Sequence, residues 1–469
     1  MNTVGTFLTE AFDRISELSP ELAREVRPIR EILVSPPRIA IVGRIKAGKS
    51  TLTNALIGAT KAETAALEAT NVVTAYHYGS PDRAVITLKD RRKIPWEIRQ
   101  RTNNEPPVPV DRIAYIDRWM PIGTLRQFTL IDTPGLATLT TQNEQATRSA
   151  LIEEQGDLSV NADGAVFLFD SAPRRDEIDF IHNLGFTSLN TLGVLSHADS
   201  FDEGALGEED PFDRASAFAV DLKGRLSNMM LDVIPVSGLL AETALTGELT
   251  EKVARKVAGT SKFSTADILT TLLSHDQVEG LNKQDCLDIV NLIGEYGIFH
   301  GAVFATGGAA TLNTWLEQRS GIQALKDMMG ATLDNYATLH RASRTINELE
   351  LLALHNPDHQ REIRNIISTA VASKDMLPAR LFGALKALQM SNSNQFVTDA
   401  VTRMLAETST ATRLGLTPDA NKFQILDRLE ENRTKLKRLT LTCNPAEEVA
   451  IPLLLLAYED LEKPEKSWL

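Results

Sequence analysis

Two cysteines in 469 residues, Cys286 and Cys443, are too few for a disulfide framework or a zinc site, and both read as reduced core residues of a cytosolic chain. Aromatic residues are scarce, at 6%. Positive charge is outnumbered: 49 Lys and Arg against 62 Asp and Glu leave a net charge of −13. The chain as a whole therefore repels phosphate backbones and anionic lipid, general nucleic-acid binding is excluded, and any contact with either is local. Long apolar runs are missing too. Residues 297–312 and 451–458 are apolar stretches, but both fall short of the ~20 residues a spanning helix needs. Glu10 and Asp13 stand where a signal peptide would be apolar. A cytoplasmic chain with no transmembrane anchor is expected.

What is present is ordinary for a globular protein: 43% hydrophobic and 24% charged residues, with 27 Gly and 20 Pro. A single core rarely grows beyond about 250–300 residues, so two packed units are expected. Phe7, Leu8, Phe12, Ile15, Leu18, Leu22, Val26, Ile29 and Leu33 recur mostly three or four apart, which is helical spacing; Ser19-Pro20 starts a second helix and Pro36-Pro37 stops it. From Arg38 the character changes. Short apolar runs at 39–42, 128–131, 165–169, 192–195 and 233–236 alternate with helical patterns, as expected for strands buried on both faces of a mostly parallel sheet. After Ser237 the strand pattern ends, residues 240–290 read as a helical insertion, and from about 331 the spacing of Leu339, Ile346, Leu349, Leu352 and Leu354 predicts an extended all-α unit.

The strongest chemical signal is Gly43-Arg44-Ile45-Lys46-Ala47-Gly48-Lys49-Ser50, a GxxxxGK[ST] loop between a strand and the helical run that starts at Thr51. Glycines let successive backbone N–H groups curl round phosphates at a helix N-terminus, whose dipole favours the anion. Gly43, Lys46, Ala47, Gly48, Lys49, Ser50 and Thr51 are thus expected to hold a nucleotide's phosphates, with Lys49 on the β and γ phosphates and Ser50 on Mg²⁺. The alternative, a chance glycine-rich turn, fits poorly with a strand before it and a helix after. A second signal, Asp132-Thr133-Pro134-Gly135, follows the apolar run 128–131. Asp132 suits Mg²⁺ through a water, and Gly135 can donate its N–H to a γ-phosphate.

Two further loops address the base. Ser196-His197-Ala198-Asp199 occupies the place of an NKxD or TKxD sequence, whose Asp accepts from the guanine N1 and N2 edge. Asp199 can do so, whereas Ser196 and His197 depart from the pattern; His197 either stacks on the base or is an exposed loop residue. Val236-Ser237-Gly238 resembles the loop whose backbone N–H, at Ser237 or Gly238, touches guanine O6. Thr60, Thr64, Thr70 and Thr74 can each complete Mg²⁺ coordination, and Thr70 is chosen for its distance from the strand-like run 74–78. The position after Gly135, where a Gln would orient the attacking water, is Leu136. Another group must act in its place, from switch one, from the loop after the first strand or from a neighbouring protomer; Lys46 either brings positive charge towards the γ-phosphate or is a solvated lysine whose charge raises nucleotide affinity. The catalytic candidates are Lys46, Lys49, Ser50, Thr70 and Gly135, and the metal candidates Ser50, Thr70 and Asp132; the cofactors are GTP or GDP with Mg²⁺.

GRIKAGKSTLTNALIG, EATNVVTAYHYG, IDTPG, LSHADS, VIPVSGLLA and EYGIFHGAVF leading into SGI together resemble the bacterial dynamin-like GTPases, in particular the shorter mycobacterial isoniazid-inducible kind, over most of residues 38–330. The resemblance implies an α/β P-loop GTPase domain on an all-α helical neck and trunk. It implies GTP hydrolysis stimulated by self-association through GTPase domains, and binding or remodelling of membrane. It also implies a paralogous dynamin-like chain as a partner, and a peripheral place on the inner face of the plasma membrane. The expected organisation is residues 1–34 as helices of the neck, 35–330 as the GTPase domain and 331–469 as the rest of neck and trunk.

Three segments are candidates for contact with anionic lipid. Met376-Leu377-Pro378 with Leu381-Phe382 reads either as an exposed tip where proline breaks a helix or as core. Lys89, Arg91, Arg92, Lys93, Arg99 and Arg101 around Trp96, and Arg433, Lys435, Lys437 and Arg438, read either as lipid-facing clusters or as solvated faces. A soluble GTP-dependent switch and a nucleotide-binding scaffold without membrane activity are the competing functions.

Overall fold

The computed structural model describes residues 3–44, 46–59, 72–97, 106–134, 162–273 and 278–462. They fall into two compact units: residues 1–35, 181–189 and 335–469 form one, and 36–180 with 190–334 the other. The chain opens with α1 (Thr3–Ser16) and α2 (Pro20–Val34). Ser19 caps α2 by accepting from the Leu22 amide, and Pro20 sits in the first turn, where a missing N–H costs nothing.

The second unit is built on a nine-stranded sheet. Its strands are β1 (Arg38–Gly43), β2 (Thr74–Tyr78), β3 (Arg83–Leu88), β4 (Lys93–Trp96), β5 (Ile113–Met120), β6 (Thr129–Asp132), β7 (Gly164–Phe169), β8 (Thr191–Ser196) and β9 (Asp232–Val236), in the order β4-β3-β5-β2-β6-β1-β7-β8-β9. From β6 to β9 every pairing is parallel. Those five strands are almost wholly buried, which is why they read as unbroken apolar runs. Beyond β6 the sheet turns mixed: β2 runs antiparallel to β6 and parallel to β5, and β3 runs antiparallel to β5 and β4. Sequence spacing did not mark β3, β4 or β5. In β5, Asp117 and Arg118 interrupt the apolar pattern while lying inside, because Asp117 pairs with His77 at 2.7 Å and Arg118 with Asp82 at 2.9 Å.

Helices follow the strands: α3 (Lys49–Ile57), α4 (Arg175–Asn183), α5 (Pro211–Arg225), α6 (Gly238–Leu245), α7 (Glu251–Thr260), α8 (Thr265–Leu273), α9 (Lys283–His300), α10 (Ala302–Ala305), α11 (Ala309–Arg319) and α12 (Ile322–Met328). Cys286 is buried on α9, as expected, but Cys443 is only half-buried.

The helical unit adds α13 (Asp334–His355), α14 (Gln360–Val371), α15 (Leu377–Met390), α16 (Gln395–Ala406), α17 (Thr410–Arg413), α18 (Lys422–Leu439) and α19 (Pro445–Glu462). Here one expectation is corrected. Met376, Leu377, Leu381 and Phe382 do not form an exposed tip; all are essentially inaccessible and belong to the core of this unit. Pro378 starts α15 rather than breaking a helix, since the first turn needs no N–H from it. The basic candidates are also partly engaged. Arg92 pairs with Asp90 at 2.7 Å, Arg433 with Glu462 at 2.9 Å, Lys435 lies 3.8 Å from the Phe396 ring centre, and Trp96 is buried. Arg99 and Arg101 lie outside the described residues. Among the described residues no helix is long and apolar enough to cross a membrane.

Candidate functional site

Because β6, β1, β7, β8 and β9 run parallel, their carboxyl ends open onto one edge, where ligands of open α/β sheets bind. The register fixes who meets there. Ile41 lies beside Asp132, Gly43 beside Leu168, and Ser196 beside Val236. Gly43 is needed at its place, since an added Cβ would fall 2.6 Å from the Leu168 carbonyl oxygen. The Thr133 hydroxyl donates to the Ile41 carbonyl at 2.7 Å, tying the chain after β6 to β1.

The loop after β1 turns into α3 through Gly48, whose φ of +84° lies in the left-handed region that favours glycine. Ala47 and Lys49 are buried, Ser50 is half-buried, and Lys46 is exposed with a φ of +66°. The Lys49 ammonium donates to the Arg44 carbonyl at 2.7 Å. Burial pushes its pKa below the usual lysine value, and the charge of nearby Asp132 works in the opposite direction. A phosphate arriving here would meet a cation already stripped of most of its water. Arg44 itself points elsewhere, to Asp176 at 2.9 Å and Glu177 at 2.8 Å. Among the described residues the Lys46 side chain has no partner, so the one loop cation committed to other carboxylates is Arg44.

A cleft of about 230 Å³ extends from this loop, lined among others by Gly48, Leu168, Val194, His197, Asp199 and Gly238. Its apolar walls suit a flat base and its polar rim suits the edge of one. Among the described residues the Asp199 carboxylate has no hydrogen-bond or ion-pair partner, although the residue is only 9% exposed. Its oxygens face the cleft with their acceptor capacity free for a ligand. His197, with a left-handed φ of +56°, lies against the loop after β1. Its Nε2 is 3.2 Å from the Lys46 carbonyl oxygen, and since a carbonyl only accepts, Nε2 carries the proton.

Ser237 is fully buried and spends both its groups internally: its hydroxyl accepts from the Leu240 amide at 3.3 Å, and its amide donates to the Ser320 carbonyl at 2.9 Å. Among the described residues the open amide of this pair is that of Gly238, the first residue of α6. The structure thus brings together Gly43, Lys46, Ala47, Gly48, Lys49, Ser50, Thr51, Asp132, His197, Asp199 and Gly238. Thr70 and Gly135, with Leu136, lie outside the described residues. Sequence reasoning missed the tie between His197 and Lys46 and a glycine of α9 beside Asp199; φ values and backbone proximity leave no local sequence signal.

A family model described as 50S ribosome-binding GTPase matches residues 38–189. The isoniazid-induced protein IniC of Mycobacterium tuberculosis is 34% identical over 254 residues, which cover 52% of this chain and 50% of that relative. Dynamin-like protein 2 of Campylobacter jejuni is 28% identical over 216 residues, 42% of this chain and 34% of that one. The chain thus spans about half the length, or less, of the curated relatives it matches. A solved structure described as an oligomerised bacterial dynamin pair with a mechanism for long-range sensing and tethering of membranes aligns with 99% of this chain and 76% of its own at 15% identity, with a TM-score of 0.31. A TM-score that low supports no inference.

Proposed function

We propose that this chain, a bacterial dynamin-like GTPase, binds GTP at the carboxyl edge of its sheet and hydrolyses it to GDP and phosphate, with turnover raised by self-association and coupled to binding or remodelling of a membrane. One observation carries the nucleotide part: Gly48 and Thr51 of the glycine-rich helix start, which flank the buried Lys49, line the same cleft as Asp199, whose carboxylate has no partner among the described residues. Lys49 and the amides of the loop would hold the phosphates, Asp199 would accept from the guanine N1 and N2 edge, and the Gly238 amide would face O6. Lys46 is the candidate for charge near the γ-phosphate.

Ser50 and Asp132 present a hydroxyl and a carboxylate at the ends of α3 and β6, a hard-oxygen donor set of the kind Mg²⁺ favours. Thr70 belongs to that set by resemblance. When bound, the metal neutralises charge on the phosphate oxygens. The protein's own residues position the tail, exclude water from the base and leave the γ-phosphate open to attack.

Self-association, a paralogous dynamin-like partner, and a cytoplasmic, peripheral place at the membrane rest on the resemblance. A second reading, a soluble GTP switch, is favoured by the description of the family model that matches residues 38–189. Specific activity measured against protein concentration, with and without liposomes, separates them. A rise with both supports the assembly-coupled enzyme, slow activity independent of both supports the switch, and no hydrolysis supports a binding scaffold.

A further inference from the structure

Helix α9 is broken in its middle. Gly294 has φ +69° and ψ 179°, inside a helix that is regular on either side. This backbone region is open to glycine and essentially closed to any residue with a Cβ. The surroundings here are specific. The Thr243 hydroxyl on α6 donates to the Leu292 carbonyl, two residues before the break, so the kink is pinned to the helix whose first residues line the cleft. A Cβ added to Gly294 would stand 3.3 Å from the Oδ2 of Asp199 and 3.4 Å from the Cδ2 of Leu239. Both of those residues border the cleft.

We propose that Gly294 is a positioning residue for base selection: its bare Cα is the wall against which the Asp199 carboxylate is set so that both oxygens reach a guanine edge. The proposal rests on the reading that Asp199 faces the base. Accepting from N1–H and from the exocyclic amine together needs both oxygens close to the base plane, and hydrogen bonds weaken steeply off axis. A methyl group at Gly294, or release of the kink, turns the carboxylate and costs the second bond first. A chain rebuilt at this point still holds the phosphates, because among the described residues an added Gly294 Cβ meets only Asp199 and Leu239 within 4 Å, and neither Lys49 nor the loop after β1.

The test is calorimetric binding of GDP and IDP, which lacks the exocyclic amine, to the full chain with Mg²⁺, for the unmodified protein, Gly294→Ala, Thr243→Val and Asp199→Ala. The unmodified protein should prefer GDP by about tenfold or more, the worth of one hydrogen bond to a charged group. Gly294→Ala and Thr243→Val should bring the ratio close to one while IDP affinity holds. An unchanged ratio in folded variants, or parallel loss of both ligands, overturns the proposal. Should Gly294→Ala fail to fold, Thr243→Val decides. If the unmodified protein binds neither nucleotide, or Asp199→Ala keeps the full preference, the reading of the site fails instead.

Discussion

His197 Nε2 donates to the carbonyl of Lys46 across 3.2 Å, so the loop after β8 is tied to the loop after β1. The imidazole makes this tie with one hydrogen bond. His197→Ala should weaken GDP binding about two- to tenfold, the net worth of one neutral hydrogen bond. Titration calorimetry showing no change would remove the tie from the account.

Lys49 is held below its ordinary pKa of 10.5 chiefly by burial. The folded chain then binds fewer protons than the unfolded one between the lowered value and 10.5, so this group's destabilisation is full below that window and fades as pH rises through it. Lys49→Met should raise the melting temperature of nucleotide-free protein at neutral pH, lose that advantage towards alkaline pH, and abolish stabilisation by GDP. A lower melting temperature at every pH would contradict this.

Ser50 tests the metal. With a chelator present, Ser50→Ala should bind GDP like the unmodified protein, and the gain in affinity that Mg²⁺ gives should vanish. If Mg²⁺ strengthens binding equally in both proteins, Ser50 holds no cation.

Away from the cleft, burial pushes the Asp210 carboxyl up, but bonds from the Tyr296 hydroxyl and the Phe212 amide, each 2.8 Å, and the Arg319 guanidinium outweigh it and hold the group below its usual 3.8. Tyr296, pushed up to about 12 mainly by burial, stays a neutral donor. The stability from Asp210 is present above 3.8 and is lost as pH falls through the lower folded value. Asp210→Asn should flatten that acid limb in urea melts followed from about pH 5 to pH 2. Identical acid limbs in the two proteins would refute it.

The parallel half of the sheet and the phosphate loop were legible because their physics is local. Strands such as β7 and β8 are buried on every side, and a glycine-rich turn needs glycine wherever it occurs. The mixed half was not, since Asp117 and Arg118 are buried by virtue of His77 and Asp82, far away in sequence. Pro378 misled for a related reason. A proline that ends one helix and a proline that begins another leave the same local mark, and only the burial of Leu381 and Phe382 tells them apart. The Gly294 kink has no apolar or polar signature, being a matter of two dihedral angles.

The assignment of residues 181–189 to the helical unit means that the polypeptide passes between the units at 35/36, 180/181, 189/190 and 334/335. Neither half is therefore a removable cassette. A fragment ending at 334 keeps residues 181–189 but discards Lys386, whose Cε would lie 3.4 Å from a Cβ added to Gly185. Expression trials that aim to isolate the nucleotide-binding half will need to graft a short bridge between Phe180 and Asn190, or keep the whole chain.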